Sequence, residues 1–235
     1  MTDYNQYIIV KGDQSKIIDL IIEKHQVLSE HKDKRKICDL IRCGMCYALS
    51  MEWLRSVHLN INEWMSGFGS TEHYLTGTNA TYYLQIASNF ASYARLDQQG
   101  VRAALTEEFG ENMRHEQFQA ELLKLFSGGL FSGFHLVGKA SNAPNEMALK
   151  LCNQANLFSI GVKFAQGGHR VAAYCDEENK TFYFYDPNFG VAKVEAKSLD
   201  DLQKKVEMMF AAWIDANVQV GLLVKEVNIG IVIPK

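Results

Sequence analysis

Isoleucine, leucine and valine recur at helical spacing from residue 15 to about 29 (Ile17, Ile18, Ile21, Ile22, Val27, Leu28), which predicts an N-terminal helix. A polar, locally basic stretch, "HKDKRK" at 31–36, separates it from a second periodic segment. There Leu49, Trp53, Leu54 and Val57, thickened by Tyr47 and Met51, predict a mostly buried helix over 46–59. Glycine, serine and threonine then crowd "WMSGFGSTEHYLTGTNATYY", which reads as a loop. Helical patterns return over about 81–96 and 101–126, with Gly110 a weak point, until "GGLFSGF" breaks them.

Beyond Pro144, a residue suited to the first turn of a helix running to about 155, the period changes from helical to extended. "LFSIGVKF", "HRVAAYCD" and "TFYFYDP" are short, rich in β-branched and aromatic residues, and separated by the turn material "AQGG" and "EENK". They predict consecutive antiparallel strands. A further strand is expected after "NFG", then an amphipathic helix from 198 to about 217 with Leu202, Val206, Met209, Phe210 and Trp213 on one side. "VQVGLLVKEVNIGIVI" closes the chain as one or two strands. Helices first and an antiparallel sheet afterwards make an α+β plan, with residues 1–36 a helical appendage and 37–235 the main domain.

Composition and charge narrow the function. A chain of 235 residues, 47% hydrophobic, is large enough for a substantial core, and a net charge of −3 offers no general attraction for nucleic acid or an anionic membrane. No apolar run reaches the length of a membrane span, and "MTDYNQY" is no signal peptide, so synthesis in a cytoplasm is expected. The five cysteines, Cys38, Cys43, Cys46, Cys152 and Cys175, are odd in number and irregularly spaced, which argues for free thiols over a disulfide framework.

Two of those thiols stand at the entrance of the 46–59 helix, in "CGMCYALSMEWL". A redox C-x-x-C pair requires a preceding strand in a small βαβ unit, and "KRKICDLIR" is a poor strand. A metal site requires a second pair of ligands, whereas Cys152 and Cys175 stand apart with no histidine within five residues of either; no metal or other cofactor is expected. A nucleophile requires a histidine base and a group that orients it. Papain-type thiol enzymes place the cysteine at a helix N-terminus, where the dipole favours the thiolate, and bring the other two groups from a later sheet. The chain offers that order: Cys46, then His169 opening a strand in "GGHRVAAY", then Asp186 ending the next in "FYFYDPNFG". Cys43 is the rival nucleophile, but it precedes Gly44 and lies ahead of the helix. Met51, Trp53 and Trp213 are read as core, and His25, His31, His58, His73, His115 and His135 show no partner pattern.

Taken together, "GMCYALSMEWL", "GGHRVAAY" and "FYDPNFG" resemble the YopT/AvrPphB family of bacterial effector cysteine proteases, over about residues 40 to 230. The resemblance implies a papain-like fold, with Cys46 as nucleophile, His169 as general base and then acid, and Asp186 as the orienting carboxylate. It further implies an acyl-enzyme (thioester) intermediate, delivery from the bacterial cytoplasm into a host cell without a cleavable signal peptide, and a host protein substrate such as a Rho-type GTPase or a kinase. One position departs from the papain pattern. The Gln or Asn that usually donates to the oxyanion five or six residues before the nucleophile is replaced here by Ile41 and Leu40. Arg42 or an amide from elsewhere would have to complete the hole. This leaves open a related acyl transfer, such as glutamine deamidation or transglutamination, and a catalytically silent papain-like module that binds a partner protein.

Overall fold

The computed structural model describes residues 3–19, 46–59, 130–140, 142–153, 156–165 and 167–235. The loop expected over 64–83 and the helices expected over 81–96 and 101–126 lie outside them, as do Cys43 and residues 40–42. The elements are β1 (Ile8–Lys11), α1 (Cys46–Leu59), β2 (Phe131–Ala140), α2 (Pro144–Cys152), β3 (Asn156–Phe164), β4 (Gly168–Asp176), β5 (Thr181–Asp186), β6 (Gly190–Glu195), α3 (Leu199–Gln219) and β7 (Val224–Pro234). The strands form one seven-stranded sheet in the order β1-β6-β5-β4-β3-β7-β2, antiparallel at every pairing. The centre of that sheet is the run of hairpins read from the alternating sequence.

Its two faces carry different helices. Phe158, Ile160, Val171, Ala173, Phe182 and Phe184 are buried against Met147 and Leu151 of α2 and Leu202, Val206, Met209, Phe210 and Trp213 of α3. Phe184, Phe210 and Trp213 meet edge to face, with ring centroids 5.1 to 6.2 Å apart, an arrangement that adds specificity to the area buried. On the opposite face α1 lays Trp53 flat over Tyr185, 5.6 Å between centroids. With both faces covered, all six residues of β5 are buried.

Local chemistry sets the ends of α3. Ser198 caps its start by accepting from the Asp201 N–H at 3.2 Å, and Asp200 and Asp201 in the first turn complement the dipole. At the other end the N–H groups of Gly221 and Leu222 return to the carbonyls of Val218 and Asn217 in a Schellman closure, and Gly221 takes the positive φ of 83° that closure requires.

The structure departs from the sequence expectations at both edges of the sheet. The N-terminal segment is helical over residues 14–19, but it first forms a 3₁₀ turn (Tyr4–Tyr7) and the strand β1, which pairs with β6. "FSGF", expected as a break, begins β2, which pairs with β7 along its length. There the ring of Phe134 lies against Gly230, where an added Cβ would come within 2.0 Å of it. Glycine in these strands marks close approach of neighbours, not the end of an element. Helix α2 stops at Cys152, three residues earlier than expected, and the C-terminal segment is a single strand.

Candidate active site

Strand register brings His169 and Asp186 together. Ala172 pairs with Tyr185, and continuing that ladder sets Asp186 opposite Val171, so that Asp186 lies diagonal to His169 on the same face. The His169 Nε2 and Asp186 Oδ1 are 2.8 Å apart, with the carboxylate fully buried and His169 only 8% exposed.

Both carboxylate oxygens have further partners. Oδ2 accepts from the Trp213 indole N–H at 2.8 Å, and Oδ1 also accepts from the Asn188 N–H at 2.9 Å. The second bond is intrinsic to "DPNFG": Asp at the head of a tight turn bonds the backbone two residues on, and Pro187 presets the next φ. The Phe189 N–H closes the turn onto the Asp186 carbonyl at 3.0 Å, and Gly190 follows with φ 104°. No other residue fits there, since a Cβ on Gly190 would also lie 2.0 Å from the Val10 carbonyl oxygen. The N-terminal segment grips the same turn. Gly12 N–H donates to the Phe189 carbonyl at 3.1 Å, Gln14 Nε2 donates to Asn188 Oδ1 at 3.4 Å, and Tyr4 packs edge-on against the Phe189 ring at 5.5 Å.

Cys46 comes from the other face, as the first residue of α1, and is half-buried. The helix is fastened to β4 by Ser50, whose hydroxyl donates to the Arg170 carbonyl at 2.9 Å. The thiol hydrogen-bonds to His169 and receives the Arg170 main-chain N–H. Since Nε2 is engaged by Asp186, Nδ1 is the ring nitrogen that meets the sulfur. Burial pushes the Cys46 thiol up, but the bond and positive charge of His169, then Arg170, outweigh it and leave the thiol below its ordinary value. Burial alone would depress His169; the charge and hydrogen bond of Asp186, with Cys46 behind them, push it up to about 10. Both shifts favour thiolate beside imidazolium.

The three residues singled out in the sequence, Cys46, His169 and Asp186, therefore stand in one hydrogen-bonded line. Trp213 was expected as core and is fully buried, but its N–H also holds Asp186, a role that helical periodicity does not reveal. Its only advance signal is that a buried indole N–H needs an acceptor. Cys152 and Cys175 are buried free thiols in contact with each other, with Cys175 at the end of β4 remote from His169. Among the described residues no cluster of metal-ligating side chains occurs, and no helix is long and apolar enough to cross a membrane.

Comparison with known proteins shows a similarity of sequence to a family and a similarity of fold to a solved structure. The model of a peptidase family described as Yersinia/Haemophilus virulence surface antigen matches residues 19–216. The crystal structure of the Pseudomonas avirulence protein AvrPphB is similar in fold, with a TM-score of 0.58 at 16% identity over 98% of this chain and 99% of that one. No curated protein sequence matches.

Proposed function

Because the chain belongs to the peptidase family of Yersinia/Haemophilus virulence surface antigens, we propose that it is an effector cysteine protease that cuts a host protein through Cys46, His169 and Asp186. The observation that carries this reading is the bonded line from thiol to imidazole to a carboxylate whose two oxygens are both held. Such a carboxylate fixes the ring so that Nδ1 faces the sulfur, which is the geometry that nucleophilic thiol catalysis requires.

In the first half-reaction the Cys46 thiolate attacks the scissile carbonyl. The tetrahedral oxyanion is met by the Cys46 main-chain N–H at the start of α1, where the helix dipole adds positive potential. His169 then gives its Nδ1 proton to the departing amine, the C–N bond breaks, and a thioester remains on Cys46. In the second half His169, now neutral, takes a proton from water as the hydroxide equivalent adds to the thioester carbonyl; the C–S bond then breaks, which releases the acid product and restores the Cys46 thiolate beside the imidazolium. Asp186 holds the ring in place throughout and stabilises the imidazolium.

The residues at the usual oxyanion-donor positions, Leu40 and Ile41, carry no donor side chain. That observation favours a second reading, in which the same thioester is passed to another acceptor, as in deamidation or transglutamination. The host substrate is proposed to be a protein of the Rho-type GTPase or kinase class. New protein N-termini in host lysate, compared between wild type and Cys46→Ala, test the reading. Wild-type-only cleavages are expected; a Cys46 that is labelled selectively by an epoxide inhibitor without producing new termini would transfer the assignment to acyl transfer, and no selective labelling would favour a silent binding module.

A further inference from the structure

Arg170 follows His169 in β4, and alternation turns its side chain to the α1 face. The guanidinium lies in a slot. On one side is the Tyr47 ring, with Cζ 5.1 Å from its centroid; on the other is Gly161, its cross-strand partner, where a Cβ would stand 3.5 Å from the nearer guanidinium nitrogen. The Ser159 hydroxyl accepts from Nη1 at 3.2 Å. The main chain of the same residue is tied twice to α1, by the Ser50 hydroxyl on its carbonyl and by its own N–H on the Cys46 sulfur.

Arg170 is half-buried, and a guanidinium partly withdrawn from water is stabilised by a nearby anion. Among the described residues Arg170 forms no such ion pair: Asp186 is committed to His169, and Glu52 of α1 pairs with Arg55 at 3.0 Å. The ionisable groups that face it are Tyr47 and Cys46 of α1, with its neighbour His169 in β4, while β3 presents neutral Ser159 and Gly161 beside it and, one pair further along the same face, the exposed cation Lys163. Of these, only ionised Cys46 supplies a negative charge near neutral pH. Arginine keeps its own proton throughout this range.

We propose that Arg170 is a positioning residue for the nucleophile: its N–H seats the sulfur, and its guanidinium, held between Tyr47 and Gly161, is a permanent cation that favours the thiolate even when His169 is neutral. The free enzyme would then keep part of its thiolate independently of the imidazolium. This inference rests on Cys46 being the nucleophile.

The test is the pH profile of Cys46 alkylation by iodoacetamide, read by peptide mass spectrometry in the full chain, for wild type, Arg170→Met, Arg170→Lys, His169→Ala and the His169→Ala/Arg170→Met double variant. Expected is a higher midpoint in Arg170→Met, with the rate on the acid side reduced about tenfold, as a midpoint raised by about one pH implies. Arg170→Lys should recover most of it. His169→Ala should keep part of its acid-side reactivity, and the double variant should lose that remainder. An Arg170→Met profile superimposable on wild type overturns the inference. If that variant fails to fold, Ser159→Ala decides: releasing the guanidinium should raise the midpoint, and an unchanged midpoint overturns it. A wild-type midpoint at the free-thiol value would instead sink the catalytic assignment itself, so the two failures are distinct.

Discussion

Asp186 and Cys46 occupy the two ends of one hydrogen-bonded line, yet they are held in opposite ways. The carboxylate is fully buried, accepts from an imidazole, an indole and a main-chain N–H, and sits in a turn gripped by a distant segment of the chain. The thiol is half-buried on the first residue of a helix, with positive groups around it. A group that orients needs every lone pair committed, whereas one that reacts must have its charge favoured and its approach free. In the proposed mechanism rigidity and reactivity are separated along the line, with His169 the joint between them.

The largest effects should come from the reactive end. Cys46→Ser and His169→Ala should each lower kcat/KM on the order of 10⁴-fold or more, because each removes a bond-making or proton-transfer group. Asp186→Ala should leave roughly tenfold to a hundredfold more residual activity than either, since orientation and charge stabilisation are lost but the nucleophile and base remain. Activity retained in Cys46→Ser would break the comparison at its root.

Next is the turn that holds the carboxylate. Gly190→Ala imposes both an unfavourable φ and a collision with the Val10 carbonyl, and should destabilise the fold by more than about 1 kcal/mol in denaturant titration while detaching β1. Trp213→Phe is gentler. It keeps an aromatic ring in the core and deletes the donor to Oδ2, so a stability loss of roughly 1 to 3 kcal/mol is expected, with activity lowered more than the remaining folded fraction explains. Unchanged activity per folded molecule would show that two donors hold Asp186 as well as three.

The smallest effect is a slope. His169 is raised to about 10, which stabilises the fold below its ordinary value and loses that stabilisation as pH rises towards 10. Cys46 is lowered, which stabilises above the free thiol's ordinary value and is lost as pH falls through the folded one. From about pH 6.5 to 8.5, wherever Cys46 is already ionised, the native pair holds one proton and so does the unfolded pair, and stability should be flat. Cys46→Ser removes the compensating titration. Its stability should then fall as pH rises through that interval, by up to about 1.4 kcal/mol for each step of one pH, when urea midpoints are compared across buffers.

Much of this arrangement was legible in the sequence, for physical reasons that differ by element. The hairpins β3 to β6 announced themselves through alternation and turn chemistry, and α3 through a stripe that its cap and Schellman closure bound within two residues. Cys46, His169 and Asp186 stood out because three short blocks kept their order. The edge strands did not. Ile8–Lys11 is four residues long and half-buried, and its partner is the distant stretch Gly190–Ala192. Phe131–Ala140 contains glycines that read as punctuation until Gly230 is seen beneath Phe134. The partners of Asp186 and Arg170 were equally hidden: nothing in helical or strand spacing says that Trp213 aims its N–H at a carboxylate, or that the Arg170 guanidinium lies over the Tyr47 ring.

The docking of β1 beside β6 also fixes an order of events during folding. Residues 8–11 leave the ribosome early but can pair only after 190–192 have emerged and the central hairpins exist to receive them. Closing so long a loop costs only logarithmically more than closing a short one, yet it must wait for a template. The grip of the N-terminal segment on the turn carrying Asp186 is therefore made late. Refolding from denaturant should show the sheet returning before Cys46 regains selective reactivity, so that the protein stays chemically quiet until residues 8–11 have found 190–192.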